Sequence, residues 1–244
     1  MLGSNTFKKD GFIGIFKLAK VIFGYIPKFF NNIYLYLKLK KEDNYKNKTK
    51  DEIINFAFET SIIMQEKYEI SKLYDILKKE NIKSYLEIGS AKGGTLFVIS
   101  KAINKNAEIV SLDLPGGRFG GGSSLLYLPI FKRLVLKTQK LHQLRGNSHD
   151  KKHIEILKNI YKNKIDLLFI DGDHTYTGVK KDFEMYSPLI RKGGLILFHD
   201  IAKHPKETEC NVHKFWNEIK NKYKHTELIT SSDQKWAGIG ILYY

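Results

Sequence analysis

Four side chains that can bind metals or transfer protons follow two short apolar runs in the second half of the chain: Asp171, His174, His199 and Asp200. The runs, Ile165 to Ile170 and Leu195 to Phe198, are rich in branched residues and predict buried strands. Carboxylates bind divalent cations, and imidazole serves as a general base. Because open α/β sheets bind ligands at the carboxyl ends of their strands, these side chains should converge on one site.

We predict that Asp171 and Asp200 share one divalent cation, Mg²⁺ or a similar ion, with His199 as a further ligand. Such an ion can hold two vicinal sugar hydroxyls or a catechol-like pair, and it lowers the pKa of a bound hydroxyl. His174 is the candidate base that takes the proton. Asp173 and Thr175 lie beside these residues and can have a simpler role, because either can cap the following helix.

A glycine-containing turn, YLEIGSAKGGT, follows another apolar run. Glycines there let the backbone approach a ligand, and the next helix offers free N–H donors at its amino terminus. The spacing is not GxGxxG, because Ala91 stands at the second glycine position, so a dinucleotide site is disfavoured. The hydrophobic-acid-hydrophobic-glycine pattern resembles motif I of class I S-adenosylmethionine-dependent methyltransferases. The candidate cofactor-binding residues in this turn are Glu87, Gly89, Ser90, Gly93 and Gly94.

This resemblance implies roles for residues at two further strand ends. Asp113 ends the second predicted strand, where the family places an acid that accepts hydrogen bonds from the ribose hydroxyls. The segment GNSHD follows the third predicted strand and places Asn147 and Ser148 where the family contacts the adenine ring. The glycine-rich loop at 115–124 can act as a lid over the site or as a flexible connection.

The elements that position these residues alternate between strands and helices. The predicted strands are Ser84 to Ile88, Glu108 to Asp113, Leu141 to Arg145, Ile165 to Ile170, Leu195 to Phe198, Thr226 to Ile229 and Ile239 to Tyr243. The predicted helices lie near Thr95 to Asn104, Leu128 to Gln139, His153 to Tyr161, Val179 to Tyr186 and Val212 to Tyr223, with Gly193-Gly194 before the fifth strand. This order predicts an α/β fold, a doubly wound, mostly parallel seven-stranded Rossmann-like sheet with an N-terminal helical extension.

The amino-terminal segment differs in composition from the rest of the chain. Phe12, Phe16, Ala19 and Phe23 fall on one helical face, and lysines lie elsewhere. Residues 11–41 therefore fit a helix at an anionic membrane surface, or a helix that docks on the body or on a partner subunit. The segment contains no uncharged run as long as a membrane span and no signal-peptide cleavage pattern.

We predict three parts of the chain: a basic aromatic segment at 1–45, a helical lead-in at 46–80 and a catalytic domain at 81–244. The polar stretch 42–52 is typical of a linker, and apolar residues at helical spacing follow it from Ile53 to Lys79. A chain of 244 residues is too short for two full-sized domains.

The net charge of +15 favours an anionic partner, because clustered lysine and arginine bind phosphate. However, the only arginines are Arg118, Arg133, Arg145 and Arg191, and lysine accompanies abundant asparagine and isoleucine, as an AT-rich genome would produce. We therefore expect a lysine-rich solvated surface and no specific nucleic-acid partner. The single cysteine, Cys210, excludes an internal disulfide and fits a cytoplasmic location, with peripheral association at the inner membrane surface as an addition.

The stretch from Ser84 to Ile241 resembles a bacterial branch of the class I methyltransferases, similar to the cephalosporin hydroxylase family and to macrolide sugar O-methyltransferases. The matching segments are DLPGGRFGGG, LRGNSHD, FIDGDHTYTGVKKDF, GGLILFHDI and WAGIG. In the sugar methyltransferases an acid at the position of Asp171, a histidine three residues later and an acidic pair after the next strand have metal and base roles. Here the pair is His199-Asp200, which departs from that pattern.

The resemblance implies an S-adenosylmethionine-dependent O-methyltransferase, assisted by a divalent metal, that acts on a sugar or glycan hydroxyl, including a lipid-linked one. Two rivals are open: a hydroxylase of the cephalosporin hydroxylase type, or a non-catalytic protein that binds RNA or membrane with the same fold. Trp236 can line an acceptor pocket or belong to the core. We assign no role to His204, His213 and His225, and the sequence is compatible with a homo-oligomer.

Overall fold

The computed structural model describes residues 30–40, 48–117, 119 and 127–244. The chain divides into two compact units, Met1–Asp43 and Asn44–Tyr244. In the first unit residues 30–40 form helix α1, whereas the predicted amphipathic face from Phe12 to Phe23 lies outside the described residues. The second unit contains both the predicted lead-in, 46–80, and the predicted catalytic domain, 81–244.

Helices and strands alternate through most of the second unit. Its α-helices, within the described residues, are α2 (Lys50–Glu59), α3 (Lys67–Leu77), α4 (Gly94–Ala102), α5 (Leu128–Leu134), α6 (Lys152–Ile160), α7 (Tyr176–Tyr186) and α8 (Val212–Ile219). Its strands are β1 (Ser84–Ile88), β2 (Glu108–Asp113), β3 (Lys140–Arg145), β4 (Ile165–Ile170), β5 (Ile190–His199), β6 (Lys224–Leu228) and β7 (Ile239–Tyr243).

The strands form one sheet in the order β3-β2-β1-β4-β5-β7-β6. Strands β1 to β5 pair in parallel, and β7 runs antiparallel to both β5 and β6. The order reverses between β1 and β4, which creates a switch point where α/β sheets bind ligands. The predicted mostly parallel seven-stranded α/β sheet is confirmed.

Strand β5 is longer than predicted, because it runs through the Gly193-Gly194 pair rather than starting after it. The Gly193 N–H donates to the Tyr244 carbonyl at 2.6 Å, and the Tyr244 N–H donates to the Gly194 carbonyl at 2.9 Å. Gly193 has a φ of +74°, which glycine adopts without the steric cost of a side chain. The carboxyl terminus thus extends the ladder across a pair that the sequence pattern places in a turn.

Several helix boundaries also differ from the predicted ones, and two of them have a clear local cause. Helix α5 ends at Leu134 rather than Gln139, because the Gln139 side chain accepts a hydrogen bond from the Leu136 N–H and turns the chain towards β3. Helix α2 begins inside the predicted linker, where Thr49 and Glu52 form a capping box. This reciprocal pair of side-chain and backbone hydrogen bonds satisfies free N–H groups at the helix start.

Apolar side chains of the central strands form the core that holds the strand ends in place. Leu86 and Leu168, on β1 and β4, are fully buried. Phe198 of β5 packs against Phe215 and Trp216 of α8, with ring centroids 6.1 and 5.6 Å away. Each such burial stabilises the fold by about 1.5 to 3 kcal/mol. The carboxyl edge of the sheet is therefore a rigid base for a site.

Candidate active site

A cavity of about 400 Å³ lies at the carboxyl edge of the sheet. This volume is typical of a small-molecule site. All of the predicted site residues except Glu87 and Gly93 line it, namely Gly89, Ser90, Gly94, Asp113, Asn147, Ser148, Asp171, His174, His199 and Asp200. The strand ends thus bring together side chains that lie far apart in the sequence.

Two carboxylates, Asp171 after β4 and Asp200 after β5, contact the same histidine. His199 Nδ1 lies 3.1 Å from Asp171 Oδ1 and 3.2 Å from Asp200 Oδ1. Gln65, in the loop between α2 and α3, donates from Nε2 to Asp171 Oδ2 at 3.4 Å. One ligand atom from each of Asp171, His199 and Asp200 lies within 4.8 Å of the other two. These three residues can therefore hold one ion.

The backbone at Asp200 has the left-handed conformation, with a φ of +62°. A residue with a side chain adopts this conformation at a cost of order 1 to 3 kcal/mol, and such residues cluster at functional sites. The turn comes directly after β5 and directs the Asp200 carboxylate into the cavity, where it lines the wall beside His199.

His174 bridges the same two carboxylates. Its Nε2 lies 3.4 Å from Asp171 Oδ1, and its Nδ1 lies 3.0 Å from Asp200 Oδ2. The ring of Phe119 stacks on the imidazole, with 4.7 Å between centroids and 10° between planes. Phe119 belongs to the predicted lid at 115–124, so one described residue of that loop contacts the predicted base.

The charges of this cluster balance one another. Burial lowers the pKa of His174, but its contacts with Asp171 and Asp200 outweigh burial and raise the pKa well above its ordinary value. Burial also lowers the pKa of His199, but the charges of the same two carboxylates outweigh it and raise this pKa well above its ordinary value. Burial raises the pKa of Asp200, yet His199 and His174 hold it well below its usual range. His174 can therefore accept a proton only when another cation balances the two carboxylates.

The glycines of the β1–α4 turn make room for neighbouring parts of the protein. A Cβ at Gly89, whose φ is +88°, would lie 2.0 Å from the backbone oxygen of Asp171. A Cβ at Gly94 would lie 2.4 Å from the backbone oxygen of Ile62, and Gly93 packs against Leu134. The turn therefore needs glycine in order to pack closely against the segments that follow β4 and α2.

Glu87 lies behind the cavity wall rather than in it. Its carboxylate accepts a hydrogen bond from Ser90 Oγ at 3.2 Å, and Ser111 Oγ donates to Ser90 Oγ at 2.7 Å. Burial, and next the charge of Asp171, raise the pKa of Glu87 well above its ordinary value. The predicted acid therefore positions Ser90, which does line the cavity.

The predicted ribose and adenine residues lie on the wall formed by the ends of β2 and β3. Asp113 is 9% exposed and lines the cavity at the end of β2. Asn147 Oδ1 accepts the His149 N–H at 2.9 Å, and the Ser148 carbonyl accepts the Tyr186 hydroxyl at 2.5 Å. These bonds fix the loop after β3, and the side chains of Asn147 and Ser148 border the cavity.

A buried carboxylate of α7 contacts the loop that follows β3. Asp182 of α7 is fully buried, and its Oδ1 lies 3.3 Å from Nε2 of His149. The contact with Asp182 raises the pKa of His149, against the opposing effect of burial. His149 itself lines the cavity, so the pair links α7 to the wall at the end of β3.

The His149–Asp182 pair predicts a pH-dependent contribution to stability. Because the folded-state pKa of His149 is raised, the contribution is complete below the unfolded value of about 6.5 and disappears as pH rises through the folded value. We expect His149→Gln to lower the free energy of unfolding more at about pH 6 than at about pH 9. Urea unfolding of both proteins at each pH measures this difference. An equal loss at both values would show that the pair carries no such charge.

The sequence analysis missed two residues of the cluster. It did allow for a helix cap just before α7. His204, to which no role was assigned, lines the cavity, and its Nε2 lies 3.1 Å from Asp200 Oδ1. Cys210 lies within 4.8 Å of ligand atoms of His174 and Asp200. Thr175 is the N-cap of α7 and accepts the Gly178 N–H, so the capping alternative holds for this residue. Lone loop residues such as His204 and Cys210 carry no spacing signal.

The part of the chain that carries this site is similar to known proteins. Residues 86–201 match a family model described as a methyltransferase domain. An uncharacterized protein of Acanthamoeba polyphaga mimivirus is 30% identical over 131 residues, which cover 54% of this chain and 57% of the relative. An uncharacterized protein of Sinorhizobium fredii is 37% identical over 65 residues, which cover 27% of this chain and 7% of the relative. The chain thus spans little more than half of one curated relative and a small part of the other.

Solved structures show the same fold. An O-methyltransferase from Bacillus cereus in complex with SAH is 15% identical, with a TM-score of 0.54 over 80% of this chain and 90% of that one. The O-methyltransferase TomG from Streptomyces achromogenes, in complex with SAM, is 15% identical, with a TM-score of 0.52 over 75% and 82%. The core of this chain therefore has the Rossmann-like fold of these enzymes, and residues 86–201 are similar to a methyltransferase domain. Its place in the cephalosporin hydroxylase-like branch stays a prediction.

Proposed function

We propose that this protein is an S-adenosylmethionine-dependent O-methyltransferase that acts on a sugar or glycan hydroxyl with the help of a divalent metal. The observation that carries the proposal is one cavity with two chemically different halves. One half contains the β1–α4 turn and Asp113, and the other contains the Asp171, His174, His199 and Asp200 cluster. A methyl donor and an oxygen acceptor require such adjoining sites, because the two must meet in line.

The donor half is suited to S-adenosylmethionine. Asp113 would accept hydrogen bonds from the ribose hydroxyls, since an ionised carboxylate is an acceptor with two oxygens. Asn147 and Ser148 would border the adenine ring. The nearby carboxylate of Asp171 favours a positively charged ligand, such as the sulfonium group of the methyl donor, over a negatively charged pyrophosphate. The two solved neighbours with SAH or SAM support this choice of methyl donor.

The acceptor half has a donor set that fits a divalent cation. Asp171, His199 and Asp200 would hold it, since one ligand atom from each lies within 4.8 Å of the other two and His199 Nδ1 faces both carboxylates. Carboxylate oxygens suit Mg²⁺ or Mn²⁺, and one imidazole is compatible with either. When bound, the ion would supply counter-charge to the carboxylates and lower the pKa of an acceptor hydroxyl.

His174 is the base in this proposal. Methyl transfer forms a bond between the acceptor oxygen and the methyl carbon and breaks the carbon–sulfur bond, whose electron pair stays on sulfur. The hydroxyl proton must leave, and the imidazole of His174 takes it. Stacking of Phe119 and the contact with Asp200 hold the ring in place. An imidazole so held loses little entropy as it accepts the proton.

The cavity rim favours a sugar acceptor. Trp236 lines the cavity and is 46% exposed, so its ring offers an apolar face to a ligand rather than to the core. Aromatic rings of this kind combine an apolar body with a polar tip and suit amphipathic ligands such as sugars. The vicinal hydroxyls of a sugar would then point towards the carboxylates.

Helix α1 supports a membrane-associated acceptor. Phe30, Ile33, Tyr34 and Leu37 are exposed and recur at the spacing of one helical face. Lysines follow at positions 38 and 40, which lie on either side of this stripe at 3.6 residues per turn. Such a stripe with flanking lysines fits a helix in the interface of an anionic membrane. Among the described residues, no helix has the length and apolarity needed to cross a bilayer.

We expect the intact protein to cosediment with anionic vesicles and to dissociate as salt rises, because lysine attraction to lipid headgroups is screened. Replacing the exposed stripe residues, Tyr34→Ser with Leu37→Ser, should release the protein. Tyr68→Ser is the matched control, since Tyr68 is 48% exposed on α3, outside the stripe. Equal recovery of the intact and stripe-altered proteins in the supernatant would rule out this surface.

The proposed activity is tested with methyl-labelled S-adenosylmethionine. The intact protein and Mg²⁺ are incubated with lipid-linked and soluble glycan fractions of the native host, and the products are analysed by mass spectrometry. We expect the label on a sugar oxygen, and its loss in excess chelator. Label transfer that persists fully in chelator would remove the metal from the proposal, and absence of label from every glycan fraction would exclude the sugar acceptor.

A further inference from the structure

The carboxylate of Asp200 has further neighbours besides Asp171 and His199. His174 Nδ1 lies 3.0 Å from its Oδ2, and His204 Nε2 lies 3.1 Å from its Oδ1. Ligand atoms of His174, Asp200 and Cys210 all lie within 4.8 Å of one another. Asp200 therefore takes part in two overlapping clusters, and only the second contains a thiol.

His204 adds a buried ring nitrogen to this cluster. Its Nε2 is buried and has no hydrogen-bond partner, although Asp200 Oδ1 is only 3.1 Å away. A short separation without hydrogen-bond geometry is unusual for a buried nitrogen, because buried polar groups are nearly always satisfied. Two ligands of a common ion have this relation, since their lone pairs point at the ion rather than at each other.

The fold holds Cys210 rigidly against this cluster. The segment from Ile201 leaves β5 and returns to the cavity before α8 begins. The Asn211 N–H donates to the His174 carbonyl at 2.8 Å, and the Cys210 N–H donates to Thr208 Oγ1 at 3.2 Å. Cys210 is 5% exposed. The thiol thus sits in a preformed position next to the imidazole of His174.

We propose that His174, Asp200, His204 and Cys210 form a binding site for Zn²⁺, distinct from the site of the catalytic cation. Two imidazoles, one thiolate and one carboxylate are a four-ligand set of the kind that zinc adopts. A thiolate selects zinc over Mg²⁺, which prefers oxygen ligands. The neighbouring set of Asp171, His199 and Asp200 has no sulfur, so the two sites differ in the metal they favour.

Zinc at this site would inhibit the enzyme. It would bind Asp200 and one ring nitrogen of His174, so that its charge would oppose protonation of the imidazole and Asp200 could no longer serve the neighbouring site. This consequence alone rests on the proposed function. The zinc site itself rests on the four side chains and does not require methyl transfer.

Cobalt titration tests the site directly, because Co²⁺ takes the place of zinc and gives a charge-transfer band when a thiolate is a ligand. The intact chain contains a single cysteine, so any such band comes from Cys210. We expect the band in the wild-type protein, its displacement by Zn²⁺ but not by Mg²⁺, and its absence in Cys210→Ser. Zn²⁺ affinity should fall by at least about tenfold in Cys210→Ser and in His204→Gln, a loss that even outer-shell partners can cause.

His142→Gln is the matched histidine control, since His142 lies on β3 and contacts Glu108 rather than this cluster. It should leave both the band and the zinc affinity unchanged. Cobalt binding without a thiolate band in the wild-type protein would overturn the proposal, as would equal zinc affinity of the wild-type and Cys210→Ser proteins. A band in a protein that transfers no methyl group would leave the zinc site standing while the proposed function failed.

Discussion

Asp200→Asn should abolish methyl transfer while S-adenosylmethionine binding persists. The Asp200 carboxylate lies 3.0 to 3.2 Å from ring nitrogens of His174, His199 and His204. Asparagine has the same shape but no charge, so the cation and the predicted base would lose their shared counter-ion. We expect a loss of at least about a hundredfold in turnover, since outer-shell partners of a metal already account for about 10- to 100-fold. Labelled methyl transfer at saturating donor measures it.

The matched control for this variant is Asp166→Asn. Asp166 starts β4 at the opposite edge of the sheet, where Arg191 Nε donates to it at 2.6 Å. Its replacement should lower the melting temperature, because a part-buried ion pair is lost, and should leave turnover intact. Melting curves of Asp200→Asn exclude misfolding as the cause of inactivity. Full turnover in folded Asp200→Asn would contradict the assignment of the cluster to catalysis.

Asp113→Ala should weaken S-adenosylmethionine binding by about 1 to 3 kcal/mol, the cost of leaving buried hydroxyls without their acceptor. Asp113 ends β2, lines the cavity and is 9% exposed, so a ligand rather than water would fill the space around it. Turnover at saturating donor should change much less than affinity. Calorimetric titration with the methyl donor measures the difference.

Asp150→Ala is the control for Asp113→Ala. Asp150 lies in the segment that follows Asn147 and Ser148, but its carboxylate pairs with Lys152 at the surface. Affinity should therefore stay at the wild-type value. Equal weakening by both substitutions would mean that the effect comes from net charge and not from a contact with the ribose.

Buried strands were the part of the fold that the sequence predicted best. The bounds of β1, β2, β4 and β7 agree with the predicted ones, and β1, β2 and β4 are apolar runs that end at a polar residue or a glycine. The start of β5 was wrong, since Gly193-Gly194 looks like a turn and only the pairing with the distant Tyr244 makes it part of a strand. Long-range pairing of this kind leaves no local pattern.

The sequence predicted the site residues that lie at strand ends. It did not predict those that reach the site through tertiary packing. Asp171 and Asp200 were found because they follow adjacent parallel strands. His204 and Cys210 lie in an irregular return segment and reach the cavity through tertiary contacts alone. The sequence singled out the glycines of the β1–α4 turn for a ligand, and it carried no sign that Gly89 also makes room for the Asp171 backbone.

The central claim, a cavity that binds S-adenosylmethionine for methyl transfer, is tested most directly by calorimetry of the purified protein with S-adenosylmethionine, its demethylated product and NAD. We expect stoichiometric binding of the first two, weakened in Asp113→Ala, and no heat with NAD, because the turn after β1 lacks the glycine spacing of a dinucleotide site. Binding of NAD in the absence of any binding of S-adenosylmethionine would contradict the account.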